Sequence, residues 1–183
     1  GRSHTSLFIA RTLLKKGIDV TIVTTSDWSS EQKDFIEPAK IIQISRESGS
    51  LLEVKHSVGK FDVIFDPFFD LHLSEAIRLL KLGGRYITCG FKNQHKRFQE
   101  ENDDIDETSI TNTMITAMIN NVSIIGNCIG TTQDLKAQID SYDSSHPLIH
   151  IDKEFNVDEG SEFLTDTYNN PLRFGKAIML YKN

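Results

Sequence analysis

Apolar residues recur at helical spacing at the start of the chain, where Leu7, Ala10 and Leu14 fall on one face with Phe8 and Leu13 beside them. Lys15 and Lys16 then place positive charge at the negative end of the helix dipole, and Gly17 follows as a stop. The pattern predicts a helix from Thr5 to Lys16. Asp19 to Thr25 is β-branched almost throughout, as in a strand buried on both faces, and the polar residues after it open a helix from Ser29 to Ile36 that Pro38 ends. The alternation continues. Strands are expected at Ile41 to Ile44, Phe61 to Asp66, Arg85 to Gly90 and Val122 to Gly126. Helices are expected at Ser50 to Val58, Ser74 to Lys81 (closed by Gly83-Gly84), Ile110 to Asn120 and Thr132 to Ser141. Strands of this length alternating with helices predict a doubly wound parallel sheet of the α/β class.

Two stretches break the rhythm. Phe91 to Glu107 is long for a strand-to-helix connection, basic at Lys92, Lys96 and Arg97 and then acidic at six of the eight positions from Glu100 to Glu107. It reads as a solvated loop or as a lid. From His146 onward the pattern changes to a strand over Leu148 to Phe155, a helix over Val157 to Tyr168, a break at Pro171 and a last strand over Ala177 to Tyr181.

Composition narrows the function classes. The 183 residues carry 20 Lys+Arg against 26 Asp+Glu, a net charge of −6, which argues against nucleic acid as a partner. Cys89 and Cys128 show neither CxxC spacing nor a paired histidine, so a disulfide scaffold or zinc ribbon has no support and a reducing cytoplasm is expected. The longest uncharged stretch, Thr108 to Gln133, contains 13 Ser, Thr, Asn or Gln in 26 residues and is no transmembrane helix. Gly1-Arg2-Ser3-His4 has neither an initiator Met nor the apolar core of a signal peptide, as at a processed or fragment boundary. The six histidines, His4, His56, His72, His95, His146 and His150, show no metal-ligand spacing and read as surface or capping residues.

Ligands of an open parallel sheet bind at the carboxyl ends of its strands. Here those ends carry Thr25-Ser26-Asp27, Asp66-Pro67-Phe68, Gly90-Phe91 and Gly126-Asn127. Gly90 and Gly126 leave room for a flat ring beside the backbone, or simply turn the chain. Gly1 to Ser6 has the spacing of a dinucleotide fingerprint, with Ser3 and Ser6 where the second and third glycines belong. A helix N-terminus still offers free N–H groups to a phosphate, although Ser3 or Thr5 as a cap explains the same residues.

Four blocks in order resemble the carboxyl-terminal half of the medium-chain dehydrogenase/reductase superfamily, which includes zinc alcohol dehydrogenases, quinone oxidoreductases and enoyl reductases. They are Ala10 to Ser26, Lys60 to Phe68 with Glu75 to Gly90, Asn120 to Leu135, and Arg173 to Leu180. The resemblance implies an NAD(P)-binding Rossmann-like domain over residues 1–145 and a segment, 146–183, that returns to the catalytic domain. It also implies that the substrate- and metal-binding half lies outside these residues, so zinc is not judged from them. The family's first strand would precede Gly1, leaving a central position of the sheet vacant, to be filled by another polypeptide segment or by upstream residues of a longer protein.

By the same resemblance Gly1, Ser3 and Ser6 face the pyrophosphate, Thr25 and Ser26 the adenosine ribose, and Asp66, Phe68, Gly90 and Gly126 the nicotinamide side. The two hydroxyls lean toward NADP over NAD, while Asp27 and the lack of any Lys or Arg before Lys33 weaken the case for a ribose phosphate. The expected function is part of an NAD(P)H-dependent oxidoreductase, quinone or enoyl reductase-like, acting on a small carbonyl or activated alkene, with no catalytic acid or base nominated. The fragment alone is expected to be inactive, and a homo-oligomeric state is left open. The alternative is a non-catalytic pseudo-enzyme that serves as a protein-interaction or trafficking module.

Overall fold

The computed structural model describes residues 4–45, 50–91, 107–127, 130–142, 149–170 and 172–181. Gly1, Ser3, Cys128, His95 and His146, together with nearly all of the expected lid, lie outside the described residues. The chain divides into two compact units, Gly1–Gln43 with Ser141–Asn183, and Ile44–Asp140.

In the first unit, helix α1 (His4–Lys15) is followed by β1 (Thr21–Thr24), α2 (Ser30–Phe35) and β2 (Lys40–Gln43). The start of α2 is fixed by reciprocal bonds. Ser29 Oγ accepts from the Gln32 backbone N–H at 3.2 Å, while the Gln32 side chain accepts from the Ser29 N–H at 3.0 Å. β1 and β2 pair in parallel, Thr21 opposite Lys40. The unit's core is Leu7, Trp28, Ile36 and Phe174, with the Trp28 and Phe174 rings edge to face at 5.4 Å. The later part of the chain supplies β6 (Ile151–Asn156), a 3-10 turn (Val157–Glu159), a helix named α7 (Gly160–Asn169) and β7 (Lys176–Leu180), parallel to β6.

In the second unit, α3 (Leu52–Val58), β3 (Phe61–Asp66) and α4 (Phe69–Ala76) lead through a 3-10 turn (Ile77–Leu79) into β4 (Leu80–Thr88). Helix α5 (Glu107–Ile119), β5 (Ser123–Gly126) and α6 (Thr132–Asp140) complete it. β3, β4 and β5 form a parallel sheet in that order. Its core gathers Ala76, Leu80 and Tyr86 with Leu51, Ile64, Leu73 and Val122 around them, each fully buried Leu-sized side chain contributing about 2 kcal/mol.

The alternating α/β pattern is as expected, and the fold is Rossmann-like. The helix expected over Ser74 to Lys81 is displaced. It begins at Phe69 and ends at Ala76, and Gly83-Gly84 lie inside β4 instead of closing a helix. The reason is a bulge: Phe61 pairs with Leu80, but Val63 pairs with Arg85, so the extra residues on β4 must fold out of the ladder. Gly83 takes the left-handed φ of 74° that this requires, and a Cβ on Gly84 would stand 2.9 Å from the Lys81 carbonyl oxygen. A glycine pair reads equally well as a helix stop, so only the strand register distinguishes the two.

The expected parallel strands form two separate hydrogen-bonded sheets, β1–β2 and β3–β4–β5. Among the described residues no helix is long and apolar enough to cross a membrane.

Candidate functional site

The parallel register of the second unit brings three strand ends level. Asp66 lies opposite Thr88, and Thr88 opposite Gly126. The chain leaves this edge through Gly90, whose carbonyl oxygen accepts from the Phe69 N–H at 3.3 Å, tying the end of β4 to the first turn of α4. A Cβ on Gly90 would stand 3.1 Å from the Pro67 carbonyl oxygen, so this position is closed to larger residues unless the backbone gives. Around Gly126 the same test finds open space. Phe68 is 41% exposed beside them.

Asp66 is the hub of this edge. It is buried, and its Oδ1 accepts from the Phe68 N–H at 2.9 Å, closing the turn into α4. Its Oδ2 accepts from the Tyr86 hydroxyl at 2.7 Å. His72 Nδ1, one turn into α4, stands 3.1 Å from Oδ1 and 3.2 Å from Oδ2. Three elements therefore converge on one carboxylate, because strand alternation points Asp66 and Tyr86 into the same layer and helical spacing returns His72 over it.

The electrostatics follow from those contacts. Burial opposes ionisation of Asp66, and the bonds from His72, Tyr86 and the Phe68 N–H outweigh it, so its pKa falls below the ordinary value. The bond to Asp66 raises the His72 pKa against the opposing effect of burial, with the charges of Asp66, Asp70 and Glu75 adding to it. Burial, followed by the bond to Asp66, holds the Tyr86 hydroxyl protonated far above its normal range. At neutral pH the arrangement is a carboxylate that orients a partly exposed imidazole and keeps a buried phenol as a donor.

The expected residues on the first unit are arranged more openly. Thr25 is exposed at the end of β1, and the Ser26 N–H donates to Thr24 Oγ1 at 3.1 Å. Asp27 accepts from the Gln43 side chain at 2.8 Å. Ser6 sits in the first turn of α1, half-buried. Thus Asp66, Phe68, Gly90 and Gly126 are brought to one sheet edge, while Ser6 and Thr25-Ser26 belong to the other unit.

Sequence reasoning missed His72 and Tyr86. His72 had been read as a surface or capping residue, and Tyr86 as one residue of a strand; the signal available was the spacing Asp66 to His72 across a strand-to-helix turn. Among the described residues no group of three His, Cys, Asp or Glu is placed to hold a metal ion.

No family model matches the sequence, and none of the curated proteins does. Solved structures do. The glucose dehydrogenase of Haloferax mediterranei is 12% identical with a TM-score of 0.72, the match covering 100% of this chain and 50% of that one. A short chain alcohol dehydrogenase of E. coli CFT073, solved with NADH, is 18% identical with a TM-score of 0.70, over 99% of this chain and 50% of its own. The cobalt- and zinc-bound thermostable alcohol dehydrogenase of Pyrobaculum aerophilum is 16% identical with a TM-score of 0.64, over 94% and 45%. The chain thus spans about half the length of the solved dehydrogenases it matches. Its fold is the Rossmann-like α/β fold that makes up about half of each of these solved dehydrogenases.

Proposed function

We propose that this chain is the nucleotide-binding half of an NAD(P)-dependent oxidoreductase acting on a small carbonyl compound, alcohol or activated alkene. The observation that carries the reading is the level edge of Asp66, Thr88 and Gly126, with Gly90 and exposed Phe68 beside it, at the carboxyl end of a parallel sheet. That is where an open α/β sheet takes its ligand. The fold neighbours support the same class, one of them solved with NADH and the Haloferax enzyme also with NADP, Zn and gluconolactone.

The residues fit a nicotinamide nucleotide on the following grounds. The open space at Gly126 admits a flat ring, with exposed Phe68 as an apolar residue of the same edge, whereas the Cβ position of Gly90 is filled by the Pro67 carbonyl and Gly90 would serve to hold the edge together. Gly1, Ser3 and Ser6 would face the pyrophosphate, and the Thr25 and Ser26 hydroxyls the adenosine ribose, with a lean toward NADP. Asp66 would act indirectly, since both its oxygens are engaged within the protein. When bound, the nucleotide supplies hydride chemistry; the chain's own residues bind, orient and exclude water.

A quinone or enoyl reductase is the finer assignment, in the cytoplasm, with 146–183 returning to a catalytic domain. One feature favours a non-catalytic interaction module instead, namely the serines at two of the three fingerprint glycine positions. Titration of the protein with NADPH and NADH, followed by nicotinamide fluorescence, tests the proposal. Saturable binding of either nucleotide is expected, and no binding of both at millimolar concentration overturns it.

A further inference from the structure

Histidine 72 is used by nothing in the reading above. Its contacts with Asp66 both run through Nδ1, and 40% of its side chain is exposed, which leaves Nε2 as the nitrogen not engaged by Asp66. A carboxylate on Nδ1 fixes that nitrogen as the N–H bearing one when the ring is neutral and stabilises the ring when it is charged. Nε2 is then the atom that gains or loses a proton, and it has no partner among the described residues.

The surroundings specify what Nε2 would meet. The groups facing the imidazole are Asp66 from β3, Asp70 and Glu75 from α4, and Tyr86 from β4, which reaches it through Asp66. Three carboxylates against one imidazolium repel a phosphate or carboxylate ligand. A neutral oxygen accepts from Nε2–H without that penalty. Phe69 stands three positions before His72 within α4, a spacing that makes helix neighbours, and Phe68, just before the helix, donates its N–H to the same Asp66 carboxylate; both rings are exposed, at 38% and 41% respectively. Phe69 is itself braced edge to face on Phe91 at a ring distance of 6.1 Å. An apolar wall thus flanks a single hydrogen-bond donor, the composition of a small-molecule site.

We propose that His72 is a proton-bearing contact for the oxygen of a neutral carbonyl or hydroxyl compound, presented by Asp66 beside the apolar wall of Phe68 and Phe69. This deepens the oxidoreductase reading by naming a substrate class and the atom, Nε2, that holds the proton against its oxygen.

Acetophenone, an apolar ketone, is a suitable probe. Its binding would be followed by side-chain ¹⁵N resonances of His72 without any nucleotide present, at a pH where the ring is protonated. Saturable movement of the Nε2 resonance is expected, weakening as pH rises through the His72 pKa. His72→Phe, which keeps a ring and removes the donor, should weaken the probe about tenfold, and Phe68→Ala should weaken it without moving the His72 pKa. Absence of any shift at His72 up to the solubility limit of the probe overturns the proposal, as does equal affinity in folded His72→Phe. The nucleotide titration separates the two readings: nucleotide binding without ketone binding overturns this inference alone, whereas ketone binding without nucleotide binding supports it and removes the cofactor reading.

Discussion

The carboxyl ends of β1 and β3 are strand ends of two separate parallel sheets, and they are built in opposite ways. At β1 the side chains Thr25, Ser26 and Asp27 lie at or near the surface; the Ser26 N–H donates to Thr24 Oγ1, and exposed Asp27 accepts from the Gln43 side chain at the end of β2. At β3 one buried carboxylate holds a turn, a strand and a helix together. The first arrangement can rearrange around a ligand at small cost. The second is set before any ligand arrives, since each partner of Asp66 would lose a bond to a buried carboxylate if it moved. Their difference is therefore one of preorganisation, and substitutions should show it as a difference in stability.

The largest effect is expected at the hub. Asp66→Ala leaves the Tyr86 hydroxyl buried without an acceptor and frees His72 and the turn at Phe68, which should cost about 3 kcal/mol. Urea denaturation followed by the transition midpoint measures it. A loss under about 1 kcal/mol would mean that the two strand ends are equally adaptable and the contrast has no energetic basis. Tyr86→Phe isolates one arm of the hub. It removes a bond to a charged acceptor and should cost about 1.5 kcal/mol, while the pKa of Asp66 rises toward its ordinary value.

The pH dependence sharpens the same contrast. Asp66 has a folded pKa below its unfolded value of about 3.8, so its contribution is present above that pH and is lost as pH falls through the folded value. His72 has a folded pKa above its unfolded value of about 6.5, so its contribution is complete below that pH and is lost as pH rises through the folded value. Both contributions are full only between about 4 and 6.5, and stability should decline on either side, modestly on the alkaline side because His72 is partly exposed and screened. In Asp66→Asn the alkaline decline should flatten. Denaturation midpoints at closely spaced pH values test this, and an unchanged alkaline slope in Asp66→Asn would detach His72 from the hub.

What the sequence made legible follows the same division. Apolar periodicity located α1 and β-branched runs located β1, β3 and β5, because those signals reside in neighbouring residues. The bulge at Gly83-Gly84 did not, since it depends on which β3 residue lies opposite which β4 residue. The site divided likewise. Asp66, Phe68, Gly90 and Gly126 were nominated because they stand at or just after strand ends, and the strand register brings Asp66 and Gly126 level with Thr88 at one edge. His72 and Tyr86 were missed because their role depends on Asp66 being 3.1 and 2.7 Å away, a convergence of three elements that spacing along one of them does not encode.

On the first unit the expected effects fall on affinity. Ser3→Gly, which restores a fingerprint glycine, should tighten nicotinamide nucleotide binding by about 1 kcal/mol, the scale of one hydrogen bond. Unchanged affinity in fluorescence titration would mean that the loop accommodates the serine.

The smallest effect is expected at Thr25. Its side chain is exposed at the end of β1 and holds no buried partner, so Thr25→Ala should change the denaturation midpoint by no more than about 0.5 kcal/mol equivalent. If the hydroxyl meets the adenosine ribose, the same substitution should weaken both nucleotides by a similarly small factor, because the bond it replaces is exchanged with water at an open surface. The comparison with Asp66 then becomes quantitative: both are polar side chains at a strand end, but the stability cost is several times larger where the group is a buried, hydrogen-bonded carboxylate. A Thr25→Ala loss above about 1.5 kcal/mol would place a hidden structural role at β1 and make the two ends alike.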